Sequence, residues 1–270
     1  MERFMLKYGN GGLWYGIFTH FDKLSVKHGI STRLGGTSKQ SFASLNLGLH
    51  TGDEDKQVIA NRQLFCQGVG VVADDIVTAE QIHTDRVFVV TKEHIGKGAK
   101  KYSEAIKATD ALITNVPDIP LMLFFADCVP VLIVDPVQKA IGIAHAGWKG
   151  TMDKIAQKTV LTMQSHFGTN PQQCFVAIAP SIGPCCYEVD NIVINRLKGQ
   201  FQNWEQLVRP NEHKWYLDLW QTNRLQLEEI GVESRSIVVS NVCTACNKEL
   251  FFSYRAENGC TGRMGAVIVL

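Results

Sequence analysis

No block of lysine and arginine, no acidic tail and no long apolar run marks this 270-residue chain. Its 27 basic side chains nearly balance 26 acidic ones and are dispersed, so the electrostatic footprint of a nucleic-acid partner is missing. Apolar stretches are far too short to span a bilayer, which argues against a membrane partner. The opening residues, Met-Glu-Arg-Phe-Met-Leu-Lys-Tyr-Gly-Asn, lack the apolar core and cleavage site of a secretory leader, and a cytoplasmic location is expected. Linker-like segments, low-complexity tracts and repeats of fixed period are missing as well. The length suits one large domain or two small ones, with ample core.

Cysteine is not scarce: eight stand at 66, 128, 174, 185, 186, 243, 246 and 260. Without a leader, reduced thiols are expected rather than disulfides. Cys243-Thr-Ala-Cys246 has the spacing of metal ligands. No second pair or nearby histidine is evident to complete a tetrahedral site, so packing is the expected role. Cys185-Cys186 is expected to form a turn, because adjacent residues cannot share one face of a strand.

Short runs rich in Val, Ile and Phe read as strands, several buried on both faces: residues 86–91, 111–114, 121–125, 129–135, 140–146, 175–179, 236–240, 250–255 and 265–270. Helical periodicity spans residues 151–166, where Met152, Ile155, Ala156, Thr159, Val160 and Met163 form one stripe. Residues 218–230, stopped by Gly231, and 55–68 are two further helices. Asn258-Gly259 reads as a turn into the last strand. The mixture is α/β or α+β.

Two reactive side chains lie inside apolar strand sequence: Cys128 and His145. Pro136-Val137-Gln138-Lys139 separates their runs as a turn. With a four-residue loop, Asp135 pairs with Ala140, Cys128 lies opposite Gly147 and His145 opposite Pro130. Side chains alternate faces, so Cys128 and His145 point to one side as diagonal neighbours. A slip of one residue would part them. Pro130 has no N–H to give a ladder and predicts an edge or a bulge beside the site. Alone, each residue reads as an inert core group. Together they form a candidate site, and Gln81-Ile-His83 offers a third donor that spacing alone does not place.

At these residues the sequence resembles the YfiH family, also called the laccase-domain or peptidoglycan-editing-factor family. The resemblance runs through Ser31-Thr-Arg-Leu-Gly-Gly-Thr-Ser38, Ser44-Leu-Asn-Leu-Gly48, Gln81-Ile-His83, Thr109-Asp-Ala-Leu-Ile-Thr114 and Ala126-Asp-Cys-Val-Pro130. It continues through His145-Ala-Gly-Trp-Lys-Gly150, the segment Ala179 to Val189, Phe251-Phe-Ser-Tyr-Arg255 and Thr261-Gly-Arg263. It implies a single domain over residues 1–270, a layered α/β/β/α sandwich related to cytotoxic necrotizing factor catalytic domains. It also implies one zinc per chain on His83, Cys128 and His145. The implied activity is purine nucleoside phosphorolysis (adenosine, inosine, guanosine, methylthioadenosine) with adenosine deamination. Purine nucleosides and inorganic phosphate are thus the expected partners, with nucleoside preference and oligomeric state left open. Lys149, where arginine is common, and a longer loop from Ala256 to Cys260 depart from the pattern.

The laccase name fits poorly. A multicopper oxidase needs many imidazoles, including His-x-His pairs, and this chain has eight histidines and no such pair. Zinc is therefore expected over copper. Two imidazoles and a thiolate with an open fourth position match a catalytic zinc, which acidifies water and polarises ligand atoms. Cys128, His145 and His83 are the catalytic candidates. Asp127 reads equally as a proton shuttle for deamination and as a buried capping group. For phosphate, the Arg33-Leu-Gly-Gly36 loop offers backbone donors and a guanidinium, supplemented by Ser44, Asn46 and Arg62. Trp148 reads as a purine-stacking or a core residue, and Arg255 and Arg263 as facing either site or solvent. A competing class is a Cys/His hydrolase, with Cys128 as nucleophile and His145 as base, acting on a cell-wall precursor. A metal-stabilised binding module without turnover is a third.

Overall fold

A computed structural model describes residues 3–9 and 12–270. In chain order the strands and helices are β1 (Phe4–Tyr8), β2 (Trp14–Phe18), β3 (Lys27–Ser31), α1 (Asp55–Val69), β4 (Val87–Val89), β5 (Ala111–Thr114) and β6 (Leu121–Phe125). There follow β7 (Val129–Asp135), β8 (Ala140–Ala146), α2 (Trp148–Met152), α3 (Ile155–Phe167), β9 (Phe175–Ile178), β10 (Glu188–Val189) and α4 (Asn191–Gln200). The chain closes with β11 (Val208–Asn211), β12 (Lys214–Leu217), α5 (Leu219–Glu229), β13 (Ile237–Val239) and β14 (Met264–Val269). Among the described residues no helix is long and apolar enough to cross a membrane.

Two large sheets result, ordered β1-β2-β3-β14-β6 and β13-β9-β7-β8-β5-β4, with a small β10-β12-β11 sheet beside them. Strand alternation sorts their side chains into layers. Leu121, Leu123 and Phe125 of β6 meet Leu132 and Val134 of β7 and Ile141 and Ile143 of β8 in a core between the sheets. Met122 and Phe124 turn the other way and pack with Phe65 and Cys66 of α1. On the outer face of the second sheet, Val131, Ile133, Ala140 and Ala144 pack with Ile155, Val160 and Met163 of α3. Gly142 permits this close approach, since a Cβ there would lie 3.1 Å from both Met163 Sδ and Thr159 Cγ2. The order of layers is helix, sheet, sheet, helix, as the resemblance implies.

The β7–β8 register is the predicted one: Asp135 pairs with Ala140 and Pro130 with His145. Asp135 Oδ1 accepts the Val137 and Gln138 N–H groups and so closes the turn. The expectation for Pro130 is overturned, because β7 is paired on both sides. Its missing donor costs little here. The Pro130 carbonyl accepts from Ala179 N–H, and the Ala179 carbonyl that a donor at 130 would serve is taken by the Ser181 hydroxyl at 3.1 Å.

Other differences also have local causes. The helix expected over residues 151–166 is two helices, parted where Lys154 adopts a left-handed backbone with φ 60°. Residues 250–255 form a turn rather than a strand, because Arg33 N–H and the Asp127 carboxylate take their backbone groups out of any ladder. Strands β1–β3 and β10–β12 and helix α4 carry patterns too weak to mark them in the sequence. Helices α4 and α5 begin at Asp190 and Asp218, whose carboxylates accept the Ile192 and Gln221 N–H groups.

Candidate active site

His145 shares the parity of Ile141 and Ile143, so its ring enters the layer between the sheets, 5.4 Å from the Phe125 ring. Cys128, directly before β7, shares the parity of Leu132 and joins the same layer at its open end. His83 comes from the loop before β4, and its ring lies 4.9 Å edge-on from that of His145. Cys128 Sγ is 3.8 Å from His83 Nε2, and one ligand atom from each of the three residues lies within 4.8 Å of the others. Three soft and borderline donors so disposed can hold one metal ion.

Asp110, fully buried before β5, sets this geometry. Its carboxylate accepts the N–H groups of Ile82, His83 and Thr84 and the His145 Nδ1–H at 2.8 Å. It thus fixes the loop carrying one imidazole and the tautomer of the other, leaving His145 Nε2 free to face the site. Those contacts also sustain the left-handed backbone of His83, φ 62°. Gln81 ties the same loop to β6 by exchanging two 2.8 Å hydrogen bonds with the Phe124 backbone.

The electrostatics favour a thiolate. Burial pushes the Cys128 thiol up, but His145 and then His83 outweigh it and the net shift is downward. Burial pushes His145 down, while Cys128 and Asp110 outweigh it and hold its proton. Burial likewise raises Asp110, yet His145 and the Thr84 and Ile82 N–H groups bring it below its usual value. The charge balance that stabilises a shared proton here would also stabilise a cation in its place.

These groups sit in a cavity of about 580 Å³, a volume typical of small-molecule sites. His50, Phe124, Trp148, Tyr187 and Tyr254 supply aromatic walls, and Arg255 and Arg263 bring positive charge. Both arginines, whose orientation the sequence left open, therefore face the cavity, and Trp148 lines it while also packing against the outer core. Asp127 also lines it, with φ 80°, but its oxygens accept from Thr244 Oγ1, Ser253 Oγ and Arg255 N–H.

The structure does not bring Arg33, Ser44, Asn46 and Arg62 to this cavity. Arg33 bonds the Ala43 and Lys248 carbonyls and pairs with Glu257. Ser44 Oγ donates to the Arg33 carbonyl. Asn46 donates to Thr51 and Asp53, and its Oδ1 accepts Arg263 N–H. Arg62 is buried under Phe124 and bonds the Leu47, Gly98 and Ala99 carbonyls. Their hydrogen-bonding groups tie loops together.

The model of the multi-copper polyphenol oxidoreductase laccase family matches residues 27–270. The chain belongs to this family. Purine nucleoside phosphorylase YlmD of Geobacillus stearothermophilus is 41% identical over 89% of this chain and 88% of its own length. Adenosine deaminase RL5, from an unknown prokaryotic organism, is 31% identical over 83% of this chain and 86% of its own. The crystal structure of hypothetical protein YfiH from Bacillus licheniformis superposes with a TM-score of 0.92 at 40% identity, covering 95% of this chain and 96% of that one. These relatives bear out the resemblance and the mixed α/β fold, and they place this family member among enzymes.

One convergence contradicts the sequence reading. Cys243 and Cys246 do have a second pair: Cys185 and Cys186 meet them, with all four Sγ atoms within 4.8 Å of one another. Cys185-Cys186 lies in a turn, as expected, but no periodicity links that turn to a loop so distant in sequence.

Proposed function

We propose that this family member is a zinc-dependent purine nucleoside phosphorylase with adenosine deaminase activity. The observation that carries the reading is the convergence of His83, Cys128 and His145 at a cavity that also presents two arginines and several aromatic rings. Two imidazoles and a thiolate leave a tetrahedral ion one open position, the pattern of a catalytic zinc rather than a closed one. Two imidazoles are too few for the multicopper chemistry in the family's name. When bound, the ion supplies Lewis acidity toward the substrate.

In phosphorolysis the ribose C1′–N9 bond breaks and a C1′–phosphate oxygen bond forms, while positive charge grows on the ribose and negative charge on the purine. Arg255 and Arg263, rather than the Arg33 loop, are assigned to the phosphate. Arg255 commits Nη1 to the Glu188 carbonyl and Arg263 commits Nη1 to the Thr261 and Gly262 carbonyls. Each guanidinium has five N–H groups, so donors remain for an oxyanion. Trp148, Tyr187 and Tyr254 offer faces for a purine ring. Asp127, its oxygens engaged, is assigned to holding the Cys128 corner against the opposite wall, and Asp110 to orienting His145.

Adenosine and inorganic phosphate are expected to yield adenine and ribose 1-phosphate, and adenosine alone to yield inosine. Chelation should abolish both and zinc restore them, and His83→Ala should lower kcat/KM by about 100-fold or more, the upper range for disturbing a metal shell. Absence of both adenine and inosine would overturn the reading. The Cys128–His145–Asp110 chain also has the order of a nucleophile, base and orienting carboxylate, which favours the amidase as second reading. Turnover of an amide substrate that survives chelation but not Cys128→Ser would select it.

A further inference from the structure

We infer that Cys185, Cys186, Cys243 and Cys246 form a second, closed metal site that binds one Zn2+ through four thiolates. Cys246 Sγ lies 3.4 Å from both Cys185 Sγ and Cys186 Sγ, and all four sulfurs fall within 4.8 Å of one another. A regular tetrahedron with edges in this range has its centre about 2.1 to 2.9 Å from each corner, which brackets the zinc–thiolate bond of about 2.3 Å. That interior holds one ion and is too small for a multi-iron cluster. The four cysteines are free rather than disulfide-bonded.

Packing does not account for the cluster, because Cys185 and Cys246 are exposed, whereas inert cysteines are buried. The backbone is built to hold the thiols together. Ser181 and Cys243 form a parallel bridge, with Ser181 N–H donating to the Val242 carbonyl and Thr244 N–H to the Ser181 carbonyl. Cys186 N–H returns to the Gly183 carbonyl, shaping the adjacent pair into a turn that aims both sulfurs one way. Gly183 N–H donates to Cys243 Sγ at 3.2 Å, an outer contact that stabilises a thiolate ligand. Gly183 is needed there, since a Cβ would fall 2.6 Å from the Trp220 ring and 3.2 Å from Cys243 Cβ.

The site would act on the catalytic wall without touching substrate. It fastens the segment carrying Ile182 and Tyr187, which line the cavity, to the segment whose Thr244 bonds Asp127 beside Cys128. Four protein ligands leave no open position, so its role is structural.

Metal analysis of zinc-equilibrated protein separates this site from the catalytic one. The wild type should carry about two zinc ions per chain, and His83→Ala and the double variant Cys185→Ser/Cys246→Ser about one each, as two independent tetrahedral sites require. A double variant retaining the full wild-type content would overturn the proposal. A second measurement needs no variant. In the native chain iodoacetamide should label exposed Cys260 at once, but Cys185 and Cys246 only after a strong chelator is added. Immediate labelling of all three, an intact mass two or four units low without reductant, or iron–sulfur absorption would each overturn it.

Discussion

Asp110 does more for the site than residues that touch the cavity. One carboxylate takes three successive N–H groups of the His83 loop and the Nδ1–H of His145, so a single side chain sets two of the three metal-ligand candidates. An asparagine there would present N–H groups to donors and lose the charge that holds His145. Asp110→Asn is expected to weaken metal retention and kcat/KM by about 10- to 100-fold, the range for outer-shell partners. Competition with a chromogenic chelator and initial rates measure the two, and wild-type values would show that His145 is oriented by something else. The sequence marks Asp110 only as part of Thr109-Asp-Ala-Leu, because a lone carboxylate before a strand has no spacing signature. Cys128 and His145 were legible because strand parity is a local rule. Arg255 and Arg263 were not, since both follow irregular loops.

Among the elements, the junction between β8 and α2 decides how close the donors come. Gly147 sits there with φ −64°, a conformation any residue accepts, so its reason is space. A Cβ would lie 2.9 Å from Cys128 Sγ and 3.0 Å from His83 Cδ2. Gly147→Ala is therefore expected to leave the urea midpoint nearly unchanged. Metal binding should fall about tenfold or more, because small misplacements at a reacting centre are costly. Equal losses of stability and metal would instead mean that Gly147 serves the fold. The β7–β8 hairpin was readable to the residue from its turn and its two apolar runs. The Pro130 expectation failed because the acceptor left over is satisfied by Ser181, which lies on another strand's exit. The break at Lys154 was hidden for a related reason: the apolar stripe continues across it, and only packing against α5 and β8 shows the two helices.

At the scale of the whole molecule, the two-sheet core fixes the response to acid. His28 is buried and its Nε2 accepts the Phe18 N–H at 2.8 Å, so it must stay neutral. Burial, aided by nearby His20, lowers it to about 4, and burial lowers His20 to about 4 as well. Between pH 6.5 and about 4 the unfolded chain thus binds more protons than the folded one. The contribution is fully present above pH 6.5 and is lost as pH falls toward 4, at about 1.4 kcal/mol per pH unit for each histidine. His50 is lowered to about 4 by burial as well, so urea denaturation of the wild type should show at least this slope and His28→Gln a shallower one; equal slopes would assign the acid sensitivity elsewhere.

By itself the sequence determined the register of the central hairpin, most of the strands buried on both faces, the family, and apolar runs too short to give, among the described residues, a helix able to cross a membrane. Each of these depends on side chains close in the chain, where alternation and turn chemistry act over a few residues. Tertiary structure alone decided which loops meet. It brought His83 to Cys128 through Asp110, turned Arg255 and Arg263 into the cavity while leaving Arg33 and Arg62 as loop ties, and gathered four cysteines from two distant turns. Such meetings follow from how two twisted sheets stack and where their connections return, and no local pattern encodes that.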